Sequence, residues 1–243
     1  MHPDHIAELL DPFLGPQDQR PDTQDLLVSI STYIDILQRW NARINLTAIR
    51  DEEEIVTRHF GESLFAARHL FPNRVVTGAS PVPPGRSPAA CQAESRTQNS
   101  SLHCTNDCPS VADVGSGPGF PGIPIKLWAP DVSLTLIESN QKKATFLKEV
   151  TRALTLTDVN VRTSRAEFLT GASFDLITLR AVERFESILP VAARLIAPGG
   201  GMALLIGQIQ LASARAALPN LDWSHPIPVP TSKSRVLVTA RKP

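Results

Sequence analysis

No run of about 18 apolar residues occurs anywhere in the 243-residue chain, which excludes a membrane-spanning helix. The opening residues Met1-His2-Pro3-Asp4-His5 lack the basic start and apolar stretch of a secretory signal, so a cytoplasmic protein is expected. There is no excess charge of either sign: 24 Lys and Arg face 24 Asp and Glu. Proteins that coat nucleic acid nonspecifically are usually strongly basic, and that class is disfavoured. Cysteine is scarce, and the three present (Cys91, Cys104, Cys108) form an odd set, which argues against a disulfide framework and for a reducing compartment. With His103 they make a thiolate–imidazole group, but the spacing fits no familiar zinc ribbon or finger, and no metal is expected.

Large apolar residues are nearly missing from one place. Residues 77–109 hold five Pro, five Ser and two Gly, with Val82 and Leu102 as the large aliphatics and no Phe, Tyr or Trp. Such a segment cannot bury enough surface to offset its ordering entropy, so it reads as an insertion or linker. It divides the chain into a helical extension (1–76) and a second domain (110–243). Elsewhere 42% apolar and 20% charged residues suit a globular protein with a sizeable core. The balanced charge is uneven along the chain. Residues 1–76 carry seven Arg, no Lys and twelve acids, a balance of −5; residues 110–243 carry fifteen bases and ten acids, a balance of +5. The second part has the better electrostatics for an anionic ligand.

The extension reads as helical. From Asp22 to Trp40, Leu26, Leu27, Ile30, Tyr33, Ile34, Leu37 and Trp40 recur at helical spacing. After a connection over Asn41–Arg50, the acids Asp51 to Glu54 suit a helix first turn. Ile55, Val56, His59 and Phe60 continue it, and beyond Gly61 another helix runs to about Leu70, before Pro72. In the second domain strands and helices alternate: strands at Val111–Val114, Val132–Ile137, Val159–Val161, Phe174–Leu179 and Met202–Ile206, helices at Ile123–Leu127, Gln141–Leu154, Ser187–Ile196 (closed by Pro198-Gly199-Gly200-Gly201) and Ile209–Leu218. His225–Val229 and Arg235–Thr239 are expected to close the sheet as a pair. Alternation of this kind predicts an α/β fold, a mostly parallel, Rossmann-like sheet with helices on both faces.

The strongest local signal is Asp113-Val114-Gly115-Ser116-Gly117-Pro118-Gly119-Phe120-Pro121-Gly122, where a strand meets glycines and then a helix. In an open α/β sheet that turn is the expected ligand crevice. Gly117-x-Gly119-x-x-Gly122 formally matches a dinucleotide fingerprint, and Gly115-x-Gly117-x-Gly119 after an Asp-bearing strand matches the first motif of S-adenosylmethionine (SAM) methyltransferases. Glu138, 19 residues beyond Gly119, can accept hydrogen bonds from ribose hydroxyls of either cofactor. Pro118, Pro121 and Pro124 favour SAM, because they break up a helix start that would have to offer free N–H groups to a pyrophosphate. Ser164-Arg165-Ala166-Glu167 follows the third strand and suits an adenine ring. Arg180 ends the fourth strand, where side chains enter the crevice, and is the candidate for positioning the reactants. No Asn/Asp-Pro-Pro-aromatic motif follows that strand, which disfavours an exocyclic base amine as target. No cysteine lies near a strand end, so a covalent route to a pyrimidine carbon lacks its nucleophile. A guanine N7 needs neither device, since its lone pair is free at neutral pH and no general base is required.

These residues resemble the bacterial 16S ribosomal RNA guanine-N7 methyltransferases, the glucose-inhibited division protein B family. The matching stretches are Trp40-Asn41 with Asn45-Leu46-Thr47, Arg58-His59 with Ser63, the run from Asp113 to Pro124, Glu138-Ser139 with Lys142-Lys143 and Phe146-Leu147, Ser164 to Glu167, and Arg180-Ala181. The resemblance implies a class I SAM methyltransferase domain behind an N-terminal helical extension, and methylation of a guanine in the 530 loop of 16S rRNA of the small ribosomal subunit. By motif it implies cofactor contacts at Gly115, Phe120, Ala166, Glu167 and Arg180, with Glu138 on the ribose and Ser116, Gly117 and Gly119 in the turn. It makes Asn45, Arg58, His59, Lys142 and Lys143 the RNA-side candidates. A monomer without a stable protein partner is expected. Three features depart from the family pattern: the 77–109 segment, Glu62 where the family has Asp after Arg-His, and a tail from Leu211 that matches poorly. The competing classes are a SAM methyltransferase acting on a small molecule or protein, an NAD-dependent oxidoreductase, and a non-catalytic ribosome-binding module; SAM and NAD affinities and methyl transfer to 30S subunits separate them.

Overall fold

A computed structural model describes residues 1–16, 20, 23–72, 108–182 and 184–243. Nearly all of the 77–109 segment, including Cys91, His103 and Cys104, lies outside the described residues. Its end does not: Pro109 is buried, and its carbonyl accepts from Ser133 N at 3.0 Å, so the sheet's first contact begins there.

Four helices come first: α1 (Pro3–Leu14), α2 (Thr23–Asn41), α3 (Glu52–Glu54) and α4 (Glu62–Leu70). Helix α1 lies before the first helical repeat recognised in the sequence, which begins at Asp22. Its signals are nonetheless local: Pro3 at the first turn, His2 Nδ1 capping Asp4 N at 3.3 Å, and Ile6, Leu10, Phe13 and Leu14 on one buried face. The break expected at Gly61 is absent. Residues Ile55–Gly61 form a π-helical segment that joins α3 to α4 without interruption, with Glu62 N donating to Thr57 O. Gly61 is required for packing: a Cβ there would sit 2.7 Å from the Phe13 ring.

The second part runs β1 (Ser110–Val114), α5 (Gly122–Trp128), β2 (Ser133–Ile137), α6 (Gln141–Ala153), β3 (Val159–Arg162), β4 (Phe174–Arg180), α7 (Phe185–Arg194), β5 (Ile196–Gly207), α8 (Leu211–Ala217), β6 (Asp222–Trp223), β7 (Ile227–Pro228) and β8 (Arg235–Arg241). The order across the sheet is β3-β2-β1-β4-β5-β8-β6, with β7 also on β8. Strands β1 to β5 are parallel, and β8 is antiparallel to β5. One expectation fails at β5. The helix ends at Arg194, not Ile196, and Ile196 to Gly201 belong to the strand. The pairing jumps from Phe174↔Ile196 to Leu176↔Gly201, so the Pro-Gly run is an irregular loop-out within β5. Gly200 lies so close to β4 that a Cβ would stand 2.8 Å from Asp175 O.

Strand residues alternate between the two faces, as a pleat requires. Val111, Leu134, Leu136, Leu176, Ala203, Leu205 and Leu237 share one core with α1, α2, α4, α5 and α6. Ala112, Ile137, Ile177, Leu179, Met202, Leu204 and Val238 face α7 and α8. The helical extension therefore buries its apolar faces in the same core as the sheet. Among the described residues no helix is long and apolar enough to cross a membrane.

Phe13 is 1% exposed and fills the hollow over Gly61. Phe13→Ala is expected to cost about 3–5 kcal/mol, the usual penalty for deleting a buried ring. Urea denaturation checks this; a loss below about 1 kcal/mol would show that α1 is not anchored there.

Candidate active site

The carboxyl ends of β1, β2 and β4 open on a cleft of about 600 Å³. Its floor is the turn after β1. Ile137 O accepts from both Gly115 N (2.9 Å) and Ser116 N (3.1 Å), which ties the turn to the end of β2. Ser116 Oγ donates back to Asp113 O at 2.9 Å. Gly117 has φ +55°, and a Cβ there would meet nothing nearer than Gly115 O at 3.8 Å, so its surface is open to a ligand. Glu138, 7% exposed, accepts from Gly117 N (2.9 Å) through one oxygen and from Asn140 N (2.7 Å) through the other. The second bond holds the residue that caps α6, since Asn140 Oδ1 accepts from Lys142 N and Lys143 N.

Beneath the turn Asp113 is fully buried. It accepts from Thr178 Oγ1 (2.9 Å) and Gly122 N (3.3 Å), and burial raises its pKa from 3.8 to about 6 despite those bonds. Its role is to hold β1, β4 and the start of α5 in register.

The helical extension supplies the opposite wall. Phe120 lies flat between two rings, stacked on Tyr33 at 5.4 Å and on His59 at 4.7 Å, with Phe60 edge-on. The Tyr33 hydroxyl donates to Pro118 O. A Cβ on Gly119 would strike that hydroxyl at 2.4 Å, so Gly119 is a packing glycine and does not line the cleft.

Arg180 ends β4 on the face covered by the extension, because residues 176, 178 and 180 share that side of the pleat. Its guanidinium donates to His59 Nδ1 (3.0 Å), to Arg58 O and to Glu62 Oε2 (3.1 Å). Arg235, on the same side of β8, pairs with the same Glu62 oxygen at 3.2 Å. Burial lowers the Arg180 pKa to about 10 while Glu62 pulls it up, so it stays charged at neutral pH. A guanidinium can only donate, so His59 Nδ1 is the unprotonated nitrogen and Nε2–H faces Thr47 Oγ1 at 2.8 Å. Burial, then the charges of Arg180, Arg58 and Arg235, push His59 down to about 3. Arg180 Nε has no hydrogen-bond partner among the described residues, an orphan donor on a residue of the cleft wall.

Of the residues singled out in the sequence, Gly115, Ser116, Gly117, Phe120, Glu138, Ala166, Glu167, Arg180, His59 and Lys143 line this one cleft. Asn45, Arg58 and Lys142 are exposed outside its lining; Asn45 accepts from Arg50 (2.9 Å) and Arg58 pairs with Glu54 (2.7 Å). Sequence reasoning missed the site roles of Tyr33, Thr47 and Arg235. Tyr33 is the single tyrosine, read only as part of a helix face. Thr47 lay inside a matching stretch, and Arg235 gave no signal in its poorly matching tail. Cys108 is an exposed free thiol 3.1 Å from Asp131 O, and among the described residues no group of His, Cys, Asp and Glu is arranged to hold a metal.

An open sheet in this order, with a glycine cradle after β1 and a carboxylate after β2, defines a class I SAM-dependent methyltransferase. The family model for GidB, rRNA small subunit methyltransferase G, matches residues 27–79 and 98–225, and the chain belongs to this family. Ribosomal RNA small subunit methyltransferase G of Xanthomonas axonopodis pv. citri is 35% identical over 216 residues, 86% of this chain and 84% of that protein. Its counterpart in Halorhodospira halophila is 33% identical over 217 residues, 88% and 87% of the two chains. Solved structures similar to this chain include a ribosomal protein L11 methylase from Lactobacillus delbrueckii subsp. bulgaricus, at TM-score 0.48 and 21% identity over 56% of this chain and 71% of that one.

Two of the shifted groups, His59 and Asp113, act on stability in opposite senses. His59 binds a proton near pH 6.5 when unfolded and at about 3 when folded, so its share of stability is full above 6.5 and lost as pH falls toward 3. Asp113 ionises near 3.8 unfolded and about 6 folded, so its share is full below 3.8 and lost as pH rises through 6. His59→Gln removes the first effect alone. Relative to wild type, the variant is expected to gain roughly 2 kcal/mol between pH 6.5 and about 5, at 1.36 kcal/mol per unit. A difference that stays constant over that range would mean His59 is charged in the folded protein.

Proposed function

We propose that this protein transfers a methyl group from SAM to N7 of a guanine in the 530 loop of 16S rRNA, working as a cytoplasmic monomer on the small ribosomal subunit. The observation that carries this reading is that the family match spans the helical extension and the sheet domain together. A substrate wall built from the extension is thus matched along with the cofactor fold.

The residues of the cleft suit SAM. Its floor leaves Gly117 open, and Glu138 ends β2 without a cationic partner among the described residues, free to accept from ribose hydroxyls. In this assignment Ala166 and Glu167 flank the adenine, while Gly115, Ser116 and Phe120 bound the remainder. SAM, when bound, supplies an electrophilic methyl group. The chain itself supplies position: Arg180, on the cleft wall, faces a carboxylate or a phosphate in this assignment, and the Phe120 stack closes that side of the cleft. His59 stays neutral and takes no proton, and guanine N7 needs no base. A bidentate arginine grip on O6 and N7 would block the reaction, so Arg180 contacts another group. Lys143, on the cleft rim, and the exposed Asn45, Arg58 and Lys142 are the proposed RNA-side contacts.

Mass mapping of 16S rRNA should find one N7-methylguanine in the 530 loop that depends on this protein. A methyl group elsewhere, or on no RNA at all, would return the substrate to the alternatives.

The site assignment has its own test. Glu138→Ala should weaken SAM binding about 10-fold or more, the scale of lost hydrogen bonds to a charged group. Arg180→Ala should keep the fold, because Glu62 retains Arg235, yet lose at least ~100-fold in methyl transfer, with Lys a partial rescue. Single-turnover methylation of 30S subunits alongside SAM calorimetry reads both; near wild-type values in both variants would remove the assignment.

A further inference from the structure

A second cavity, of about 550 Å³, adjoins the cofactor cleft and shares Arg184 and Ser187 with it. It lies between the start of α7 and the turn after β5, at the carboxyl ends of β4 and β5. This is the edge of the sheet where ligands enter an open α/β fold. Its volume falls in the usual range for small-ligand clefts, about 300–1,000 Å³.

Two of its lining side chains pack or pair with nothing that the fold requires, although the Arg184 carbonyl caps α7 by accepting from Ser187 N and Ile188 N. Arg184 is exposed, and its guanidinium makes no hydrogen bond or ion pair among the described residues. Ile209 is 90% exposed, more than any other large apolar side chain among the described residues. Its turn is not loose, since Gln210 Oε1 accepts from Gly207 N at 3.0 Å and fixes the backbone that presents it. A rigidly displayed aliphatic group beside a free cation suits an occupant with one apolar face and one anionic end. A nucleotide has both. Phe185 adds a half-buried ring to the same groove. Glu186 lies there too, which places a phosphate at the Arg184 end and leaves the carboxylate to accept from base N–H groups.

We propose that this groove is a subsite for the rRNA nucleotide adjoining the target guanine, with Arg184 on its phosphate and Ile209 and Phe185 against its base. The proposal rests on the rRNA-methylation reading and deepens it. The groove is continuous with the cleft, so a strand that delivers a guanine toward Arg180 passes over Arg184 and Ser187 next.

Ile209→Asp tests it without touching the core. Its KM for 30S subunits is expected to rise about 10-fold, with SAM affinity unchanged and turnover at saturating subunits retained. Val28→Asp, a half-exposed apolar position on α2, should leave all three unchanged. Arg184→Gln should reduce the slope of log affinity against log salt by about 1, the signature of one lost phosphate contact. A photo-crosslinking phenylalanine analogue at position 209 should attach to 16S rRNA within a few nucleotides of the methylated guanine. Unchanged KM in Ile209→Asp, an unchanged salt slope in Arg184→Gln, or a crosslink to a ribosomal protein would overturn the proposal. Wild-type protein assayed in parallel separates the two levels: no N7-methylguanine from wild type refutes the activity itself, whereas an active wild type with indifferent variants refutes only the groove.

Discussion

The guanidinium of Arg180 leaves the end of β4 and is closed on by three groups of the helical extension: the carboxylate of Glu62, the ring of His59 and the carbonyl of Arg58. Arg235 reaches the same carboxylate from β8. Removing one partner from a buried ion pair costs about 3–5 kcal/mol, because the other charge is stranded. The cleft wall therefore depends on all three elements meeting correctly. One oxygen of Glu62 meets both arginines, Arg180 at 3.1 Å and Arg235 at 3.2 Å. Glu62 sits directly after the π-helical segment Ile55–Gly61, at the first position of α4.

The same contact sets the protonation of its neighbours. Arginine donates to one nitrogen of His59 and so dictates the tautomer, which in turn directs the other nitrogen to Thr47. Thr47 is itself positioned by Asn41, whose side chain accepts from Leu46 N and Thr47 N and donates to Thr47 O. A cation, a neutral imidazole and a hydroxyl thus form a chain from the sheet to the loop after α2. Arg180 Nε, at the start of that chain, has no hydrogen-bond partner among the described residues.

Apolar packing complements this polar chain. Phe120 is gripped by Tyr33 and His59, so the glycine turn after β1 is braced by two helical segments distant from it in sequence. The glycines of the motif divide accordingly. Gly117 leaves room for a ligand, while Gly119 and Gly122 leave room for protein, Tyr33 in one case and Asp113 with Leu136 in the other. A motif that reads as one cofactor signal serves two physical ends.

What the sequence determined by itself was local. Strand alternation, the glycine turn, the Glu138 offset and the amphipathic spacing of α2 and α6 depend on residues within about one element, and the sheet domain could be read from them. Alternation also placed Arg180 at a strand end, and the motif match carried the family. Where local cues conflicted the reading failed: Pro198 to Gly201 looked like a helix stop, yet Ile196 pairs with β4 and Gly201 with β4 and β8, so the run between them is looped out within the strand. Only the tertiary structure decided what Arg180, Phe120 and Glu62 touch. Tyr33 reaches Pro118 across 85 residues, and His59 reaches Arg180 across 121. Such contacts leave no periodic trace, because each is made once, between surfaces whose approach is set by packing of the whole core.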